Sequence, residues 1–593
     1  MPPVSLLPVV PPVPAVLRAL ALGAVLAVPV GPWAAAGAVE GASGPYLAAR
    51  QALSDNDFAA ATGFLDALIA VDAENPVVLE NAVVAHLALG DLAAALEPAQ
   101  RIEALGVASQ PARLAVIGNL LAEGDHDAAL EELRDGAGIG PLIDPLLRGW
   151  TQLARGRMSE ALAEFDSLTG QRGMEAFGLY HTALALAHVG DAEGAERILS
   201  GEVAGPLQVG RRGALARVQL LGALERREDA VALIDEMFGT DPDPEVAELR
   251  ARLSGDAPVG FDIVASPRDG MAEVFHDIAG ALQGEASDAF TLILARMALA
   301  LRPDHVSAVL LTGRLLGALD QHGLAAEVHR QVPEEAPLYH MARIGLAEAL
   351  ERDGEDAAAR AELEALVETH GHLAAVHITL GDLLRRGRAF DAASQAYDAA
   401  IALLGMPQRQ HWVVYYTRAI THEREDRWDQ AEADFRTALE LSPDEPHVLN
   451  YLGYSLVERR ENLDEALEMI RRAVEGEPDN GYIVDSLGWV YYRLGRHDEA
   501  LRYMERAVEL MPTDAILNDH LGDVYYALGR TREARFQWRR ALSFGPADDL
   551  DMDRIRRKLE VGLDAVLVEE GAEPHHGRPD RGADRGADGA HGN

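Results

Sequence analysis

The 593-residue chain contains no cysteine, and Lys558 is its only lysine. A chain without cysteine forms no disulfide bond, no thiolate metal site and no cysteine nucleophile, and it offers no cysteine for lipid attachment. Lys558 follows Arg557 rather than a glycine, so the Gly-Lys pair of a phosphate-binding loop is also missing. These absences exclude several classes of enzyme and of membrane anchor.

Aromatic side chains are scarce as well, at 5% of the chain, and alanine and leucine dominate the 48% of residues that are hydrophobic. Both are good helix formers, whereas strands favour clusters of β-branched and aromatic residues. A single hydrophobic core stops growing at roughly 250–300 residues, so a chain of this length needs several domains or an extended array. The composition therefore predicts an all-α protein.

Positive charge is in short supply, because the net charge is −42 and the isoelectric point is near 4.8. Such a surface repels the phosphates of nucleic acids and of anionic lipids. It attracts basic proteins and keeps a long array soluble. We therefore expect a protein or peptide partner, of basic character, and neither nucleic acid nor a specific lipid.

An internal repeat is clearest near the C-terminus, where residues 482–512 align with residues 516–546. The offset is 34 residues for each matched pair, including Gly488 with Gly522 and Ala500 with Ala534. Small residues at these positions let two helices approach closely, and a proline after the second helix ends each unit. The period predicts pairs of antiparallel helices stacked in series.

The run "YIVDSLGWVYYRLGRHDEAL" and its copies resemble the tetratricopeptide repeat superfamily, closest in style to exported proteins of proteobacteria. Fainter copies extend the phase toward the N-terminus, where Ala61, Ala95 and Ala129 keep the same spacing. The resemblance implies an all-α fold, a right-handed α-solenoid of about fourteen helix-turn-helix units with a C-terminal capping helix.

The chain is predicted to divide into six segments. An apolar run after Arg18, followed by small residues, predicts a signal peptide cleaved after Ala36 or Ala38, with a retained membrane anchor as the alternative. Glycine and proline in "SGDAPVGFDIVASPRDG" predict an interruption of the array. The predicted segments are a signal peptide over 1–38, a degenerate array over 42–244, an irregular insert or hinge over 245–271, a second array over 272–548, a capping helix over 549–569 and a disordered tail over 570–593.

By resemblance, four positions of each first helix face a concave groove, and in the last repeats these positions carry aromatic and acidic side chains. Tyrosine and tryptophan are favoured at interaction hot spots, and the acids favour a helical or extended ligand with arginine or lysine. The alternative is that some of these aromatic rings pack between repeats. The predicted groove residues are Asn450, Tyr454, Tyr482, Asp485, Trp489, Tyr492, Asp519, Asp523 and Tyr526.

The resemblance implies a non-catalytic scaffold or adaptor, and the predicted export places it in the periplasm or elsewhere in the bacterial cell envelope. One alternative is an accessory subunit of an envelope assembly or export enzyme complex. Another is an unrecognised enzyme in which Asp519 and Asp523 act as catalytic acids. No cofactor or metal is expected, since histidines such as His370 and His575 lack convincing ligand spacing.

Overall fold

A computed structural model describes residues 43–134, 138–239, 242–255, 257–546 and 550–576 of the chain. Within these residues the regular elements are 31 α-helices and one short 3-10 helix, Arg409–His411. The prediction of an all-α solenoid is confirmed. The predicted signal peptide, 1–38, and residues 577–593 of the predicted tail lie outside the described part.

The helices form two compact units, which divide between His372 and Leu373 rather than within the predicted insert. The first unit contains helices α1 to α19. In chain order they are α1 Ser43–Ser54, α2 Phe58–Val71, α3 Pro76–Leu89, α4 Leu92–Ala104, α5 Gln110–Glu123, α6 His126–Glu132, α7 Ile143–Ala154, α8 Met158–Asp166, α9 Glu175–His188, α10 Ala192–Leu199, α11 Arg211–Ala223, α12 Arg227–Phe238, α13 Pro244–Ser254, α14 Pro267–Leu282, α15 Asp288–Leu301, α16 Val306–Ala318, α17 His322–His329, α18 Tyr339–Arg352 and α19 Asp356–His370.

The second unit contains helices α20 to α31, again mostly as antiparallel pairs. In chain order they are α20 Ala374–Arg386, α21 Phe390–Leu404, α22 Trp412–Arg424, α23 Trp428–Leu441, α24 Pro446–Arg459, α25 Leu463–Gly476, α26 Gly481–Arg493, α27 His497–Leu510, α28 Ala515–Ala527, α29 Thr531–Ser543, α30 Met552–Val561 and α31 Leu563–Glu569.

The repeated small residues lie where paired helices approach closely. A Cβ atom on Gly488 would press on Met504, and one on Gly522 would press on the ring of Trp538. Between the two paired helices, Gly495 adopts a left-handed conformation at φ +73°, which costs a glycine nothing. The 34-residue spacing thus recurs because each helix pair repeats the same close contact and the same turn.

In the first unit, α14 and α15 fold back over earlier helices instead of simply extending the stack. Helix α14 packs against α7 and α9, and α15 packs against α3 and α5. All four of these contacted helices are the first members of their pairs. The surface formed by these first helices is therefore covered by the chain itself.

The irregular stretch between α13 and α14 is shorter than the predicted insert, 245–271. Asp243 caps α13 by accepting hydrogen bonds from the backbone N–H groups of Glu245 and Val246, so a helix runs through the first part of the predicted insert. Ser266 then begins α14 with a capping box. The described non-helical residues of this stretch are 255 and 257–266.

The predicted capping helix, 549–569, is divided in two. Gly562, at φ +87°, separates α30 from α31. Residues 570–576 of the predicted disordered tail are described and contact the repeats. We refer to residues 551–576 as the C-terminal segment. None of the described helices is long and apolar enough to cross a membrane.

Candidate functional site

The nine predicted groove residues lie on three consecutive first helices, α24, α26 and α28. Helix α26 contacts both α24 and α28, so the three helices lie side by side. Stacking of the Trp489 ring on the ring of His520, at a centroid distance of 4.1 Å, joins α26 to α28. The structure thus places the predicted residues along one stripe, whose two ends differ.

At one end of the stripe, Asp519 and Asp523 are bound by the only lysine of the chain. The Nζ atom of Lys558 lies 2.8 Å from the nearer carboxylate oxygen of Asp519 and 2.7 Å from that of Asp523. Lys558 is 0% exposed and Asp523 is 1% exposed. Trp538 Nε1–H donates to Asp523 Oδ1 at 2.9 Å, and Arg554 Nη1 lies 3.6 Å from Asp523 Oδ2. We call this the covered end.

Charge neutralisation explains the geometry of the covered end. Burial raises the pKa of Asp519, and Asp523 acts in the same direction, while Lys558 opposes the rise. Two carboxylates one helical turn apart repel each other when they are desolvated, and a buried charge without a partner costs several kcal/mol. The ammonium group therefore satisfies a pair of acids that water no longer reaches.

The C-terminal segment also contacts the tyrosines of the stripe. Tyr492 Oη lies 2.7 Å from His575 Nε2, and the ring of Tyr526 meets the ring of His576 edge to face at a centroid distance of 5.5 Å. Burial lowers the pKa of His575 and strongly raises that of Tyr492. Near neutral pH, the neutral imidazole of His575 can thus accept a hydrogen bond from the hydroxyl of Tyr492.

Trp489 occupies the middle of the stripe. Its ring also stacks on Tyr492 at 4.8 Å between centroids, and its Nε1–H donates to Glu458 Oε1 at 2.7 Å. The imidazole of His520 lies 2.8 Å from Asp485 Oδ2. Burial alone would lower the pKa of His520, but the carboxylate of Asp485 and the other nearby acids together raise it.

The far end of the stripe consists of Asn450, Tyr454, Tyr482 and Asp485. Tyr482 is 51% exposed, and its hydroxyl donates to Asp514 Oδ2 at 2.9 Å. Asn450 Oδ1 and Asp485 Oδ1 are buried, and no donor among the described residues bonds them. Buried acceptors without donors are uncommon and costly.

Sequence reasoning missed the partners of the acids. Lys558 and Arg554 lie four residues apart in an amphipathic helix, and Lys558 is unique in the chain. That spacing matches the four-residue spacing of Asp519 and Asp523. A search for complementary charge pairs on separate helices could have found the match.

The first unit contains a second polar cluster, around Glu273 of α14. Among the described residues, Glu273, His276 and His305 bring their ligand atoms within 4.8 Å of one another, as a metal site requires. Arg212 Nε–H, however, donates to both oxygens of Glu273, at 2.8 and 2.9 Å, and Tyr180 Oη donates to one of them at 3.1 Å.

The protonation of His305 also argues against a metal ion in this cluster. Its Nδ1 accepts the backbone N–H of Ala308 at 3.2 Å, so in the neutral ring the proton is on Nε2, which lies 3.2 Å from Glu273 Oε2. A metal ion would have to displace that proton and compete with Arg212. We interpret the cluster as an ion-pair network that fastens α14 to the first helices.

Comparisons with known proteins match the C-terminal repeats. Family models described as tetratricopeptide repeat match residues 416–482 and 484–514. A search of curated proteins found no match. The solved structures that resemble the chain include the APC/C hetero-tetramer Cut9–Hcn1 (14% identity over 88% of this chain and 97% of that one, TM-score 0.38), a repeat protein from Parabacteroides merdae (17%, 43% and 97%, 0.36) and yeast Tom70 (14%, 89% and 96%, 0.28). These structural likenesses are too distant to support an inference about partners.

Proposed function

We propose that this chain, whose residues 416–482 and 484–514 match tetratricopeptide repeat models, is a protein-interaction scaffold. Its C-terminal repeats would bind a basic helix or extended peptide of a partner in the bacterial cell envelope. The single observation that supports this most is the covered end of the stripe. There the repeats already hold a helix, α30, through Lys558 and Arg554.

The far end of the stripe supports binding of a second element. Tyr482 there offers a half-exposed ring with a polar tip, against which a peptide can pack. The excess of acidic residues in the chain favours a basic partner.

The proposed location rests on the sequence alone. Arg18, the apolar run after it and the small residues before Ala38 fit an exported precursor. N-terminal sequencing of the protein recovered from the envelope fraction should begin immediately after Ala36 or Ala38. Recovery of the intact precursor from the cytosolic fraction would contradict export and leave the scaffold proposal standing.

The alternative of an enzyme that uses Asp519 and Asp523 finds little support in the geometry. Lys558 contacts both carboxylates, and Asp523 is 1% exposed, so a substrate does not reach them while the C-terminal segment is bound. An accessory subunit of an enzyme complex remains compatible with the proposal, because such a subunit also works by binding protein.

Site-specific photocrosslinking tests the proposal on the full chain. A benzophenone amino acid replaces Tyr482 in one variant and Phe536 in the other. Both native residues are exposed aromatics, at 51% and 58%, but Phe536 lies on α29, a second helix, away from the stripe. We expect a discrete protein adduct from envelope extract at position 482 only, and identification of its crosslinked peptide should show a basic sequence.

Equal adducts at both positions, or adducts at position 536 alone, would overturn the assignment of the stripe as the binding surface. An adduct at position 482 whose crosslinked peptide is acidic would overturn the basic character of the partner. The spectrum of each variant in far-UV circular dichroism serves as the control for folding.

A further inference from the structure

We propose that the C-terminal segment is a displaceable occupant of the stripe, and that the partner is a helix presenting arginine and lysine four residues apart. This deepens the proposed function and rests on it. The partner helix would replace α30 on Asp519 and Asp523 and continue toward the far end. The C-terminal segment then competes with the partner for the same residues, so that a partner must bind them more tightly than the tethered segment does.

The register of charges defines the partner. Lys558 lies between Asp519 and Asp523, and Arg554, one helical turn before it, lies 3.6 Å from Asp523. A compact ammonium group fits between two carboxylates, with four N–O distances of 2.7 to 3.0 Å. A planar guanidinium in the place of Lys558 would not reproduce this arrangement.

The two helices of the C-terminal segment bury fewer residues than a first helix of the repeats does. Two of the ten residues in α30 are buried, Ile555 and Lys558, and two of the seven in α31, Leu563 and Val566. In α26, by contrast, ten of thirteen residues are buried. Because apolar burial is the main source of stability, the C-terminal segment depends much more on its charge pairs than the repeats do.

The helices of the C-terminal segment are also short. At ten and seven residues, they fall below the roughly 12–15 residues that an isolated helix needs for even marginal stability in water. Their order therefore depends on docking, and release converts them to a disordered chain. Opening of such a segment requires only the local contacts to break, not the repeats to unfold.

Tethering makes the competition quantitative. A ligand held by a short linker acts at an effective concentration on the order of millimolar. A partner helix with the same contacts would therefore bind the full chain only weakly. It would gain the advantage by also contacting the half-exposed ring of Tyr482 at the far end of the stripe. Selectivity would then arise from length, since the partner spans both ends of the stripe.

A labelled peptide of residues 551–576 tests the proposal by fluorescence anisotropy on full-length chains. The wild-type chain, with its own segment bound, should take up the peptide weakly. The Lys558→Met chain should bind the wild-type peptide at least 10-fold more tightly, because its own segment competes poorly. A peptide that carries Lys558→Met should bind neither chain.

A second substitution shows which residues receive the peptide. Asp519→Asn with Asp523→Asn, added to the Lys558→Met chain, should abolish uptake. Arg554→Ala, which keeps Lys558, provides a milder opening if Lys558→Met loses its helical circular dichroism, and it should raise uptake by about 3-fold to 10-fold.

Two results would overturn the proposal. If the Lys558→Met and Arg554→Ala chains are both folded and neither binds the peptide, the C-terminal segment is a permanent cap. Wild-type and variant chains that bind the peptide equally would show that it binds elsewhere. Neither result affects the crosslink at position 482, so the scaffold proposal and the competitor proposal fail separately.

Discussion

The two units cover equivalent surfaces by different means. In the first unit, α14 and α15 cover first helices with large, closely fitted contacts, and nine of the sixteen residues of α14 are buried. In the second unit, α30 covers the stripe with two buried residues of ten. The same kind of surface is therefore part of the core in one unit and a candidate binding site in the other.

Close packing in the first unit shows why its covering helices are permanent. A Cβ atom at Gly270 of α14 would overlap the ring of Trp150, and one at Gly118 would overlap Met297 of α15. Such fits leave no room for another sequence. At the covered end of the second unit, Asp519 and Asp523 require a cationic group that lies between their carboxylates, as the Lys558 ammonium does.

The largest expected effect distinguishes a buried ion pair of the first unit from a more exposed one beside it. Arg212→Gln leaves Glu273 buried without its cation, and water cannot enter without unfolding α14. We expect the first unit to lose about 3–5 kcal/mol of unfolding free energy in urea titrations. The neighbouring Arg211 pairs with Asp243 and Glu245 at the surface, so Arg211→Gln should cost less than about 1 kcal/mol. Equal losses would remove the distinction.

Acidification should also act mainly on the first unit. Burial lowers the pKa of His181 and of His329 to about 4, below the unfolded value of 6.5. Above pH 6.5 the two neutral histidines contribute fully to the free energy of unfolding. This contribution falls as the pH decreases toward 4, and the loss is about 2 kcal/mol per histidine at pH 5.

The contribution of His520 in the second unit to stability depends on pH in the opposite direction. Its raised pKa gives stability that is present at acid pH and lost as the pH rises through the folded pKa. Urea unfolding at pH 7 and pH 5, followed by hydrogen-exchange mass spectrometry of peptides from each unit, measures both trends. The substitution His181→Gln should reduce the acid sensitivity of the first unit. A larger acid loss in the second unit would contradict this prediction.

Removing the charge of Lys558 should have a smaller and local effect on stability. Release of the C-terminal segment lets water reach Asp519 and Asp523, so the repeats escape the cost of unpaired buried charges. We expect Lys558→Met to change the unfolding free energy of the repeats by less than about 2 kcal/mol. Hydrogen-exchange protection should nevertheless disappear across residues 551–576. Loss of protection throughout α24 to α29 would contradict local release.

The smallest expected effect concerns a single hydroxyl. Tyr492→Phe removes the hydrogen bond to His575 and should weaken docking of residues 570–576 by about 0.5–1.5 kcal/mol. Tyr482→Phe removes a comparable hydroxyl, bonded to Asp514 at the other end of the stripe, and should leave these residues unchanged. Exchange rates of the tail peptide give the comparison, and equal effects would exclude a specific contact.

Much of the architecture follows from local sequence. The helix pairs recur every 34 residues because Gly488 and Gly522 mark close contacts with Met504 and Trp538 of the same repeat, so the pattern can be recognised within a single repeat. The stripe follows too, since residues four apart share a helix face.

The long-range contacts could not be predicted from the sequence of a single repeat. Helices α14 and α15 have the pattern of another repeat, and nothing near Gly270 in the sequence indicates that it will meet Trp150. Asp519 and Asp523 predicted a basic ligand, but the pairing with Lys558 joins residues 35 and 39 positions apart. Which basic group arrives is decided by tertiary packing, not by either helix alone.

The most direct test of the account is native-state hydrogen exchange on the unmodified chain, comparing residues 551–576 with residues 267–301. We expect the C-terminal segment to open locally, with a free energy of opening at least about 3 kcal/mol below that of α14 and α15. Equal protection of the two regions, lost together in one cooperative step with the repeats, would show that both coverings are permanent.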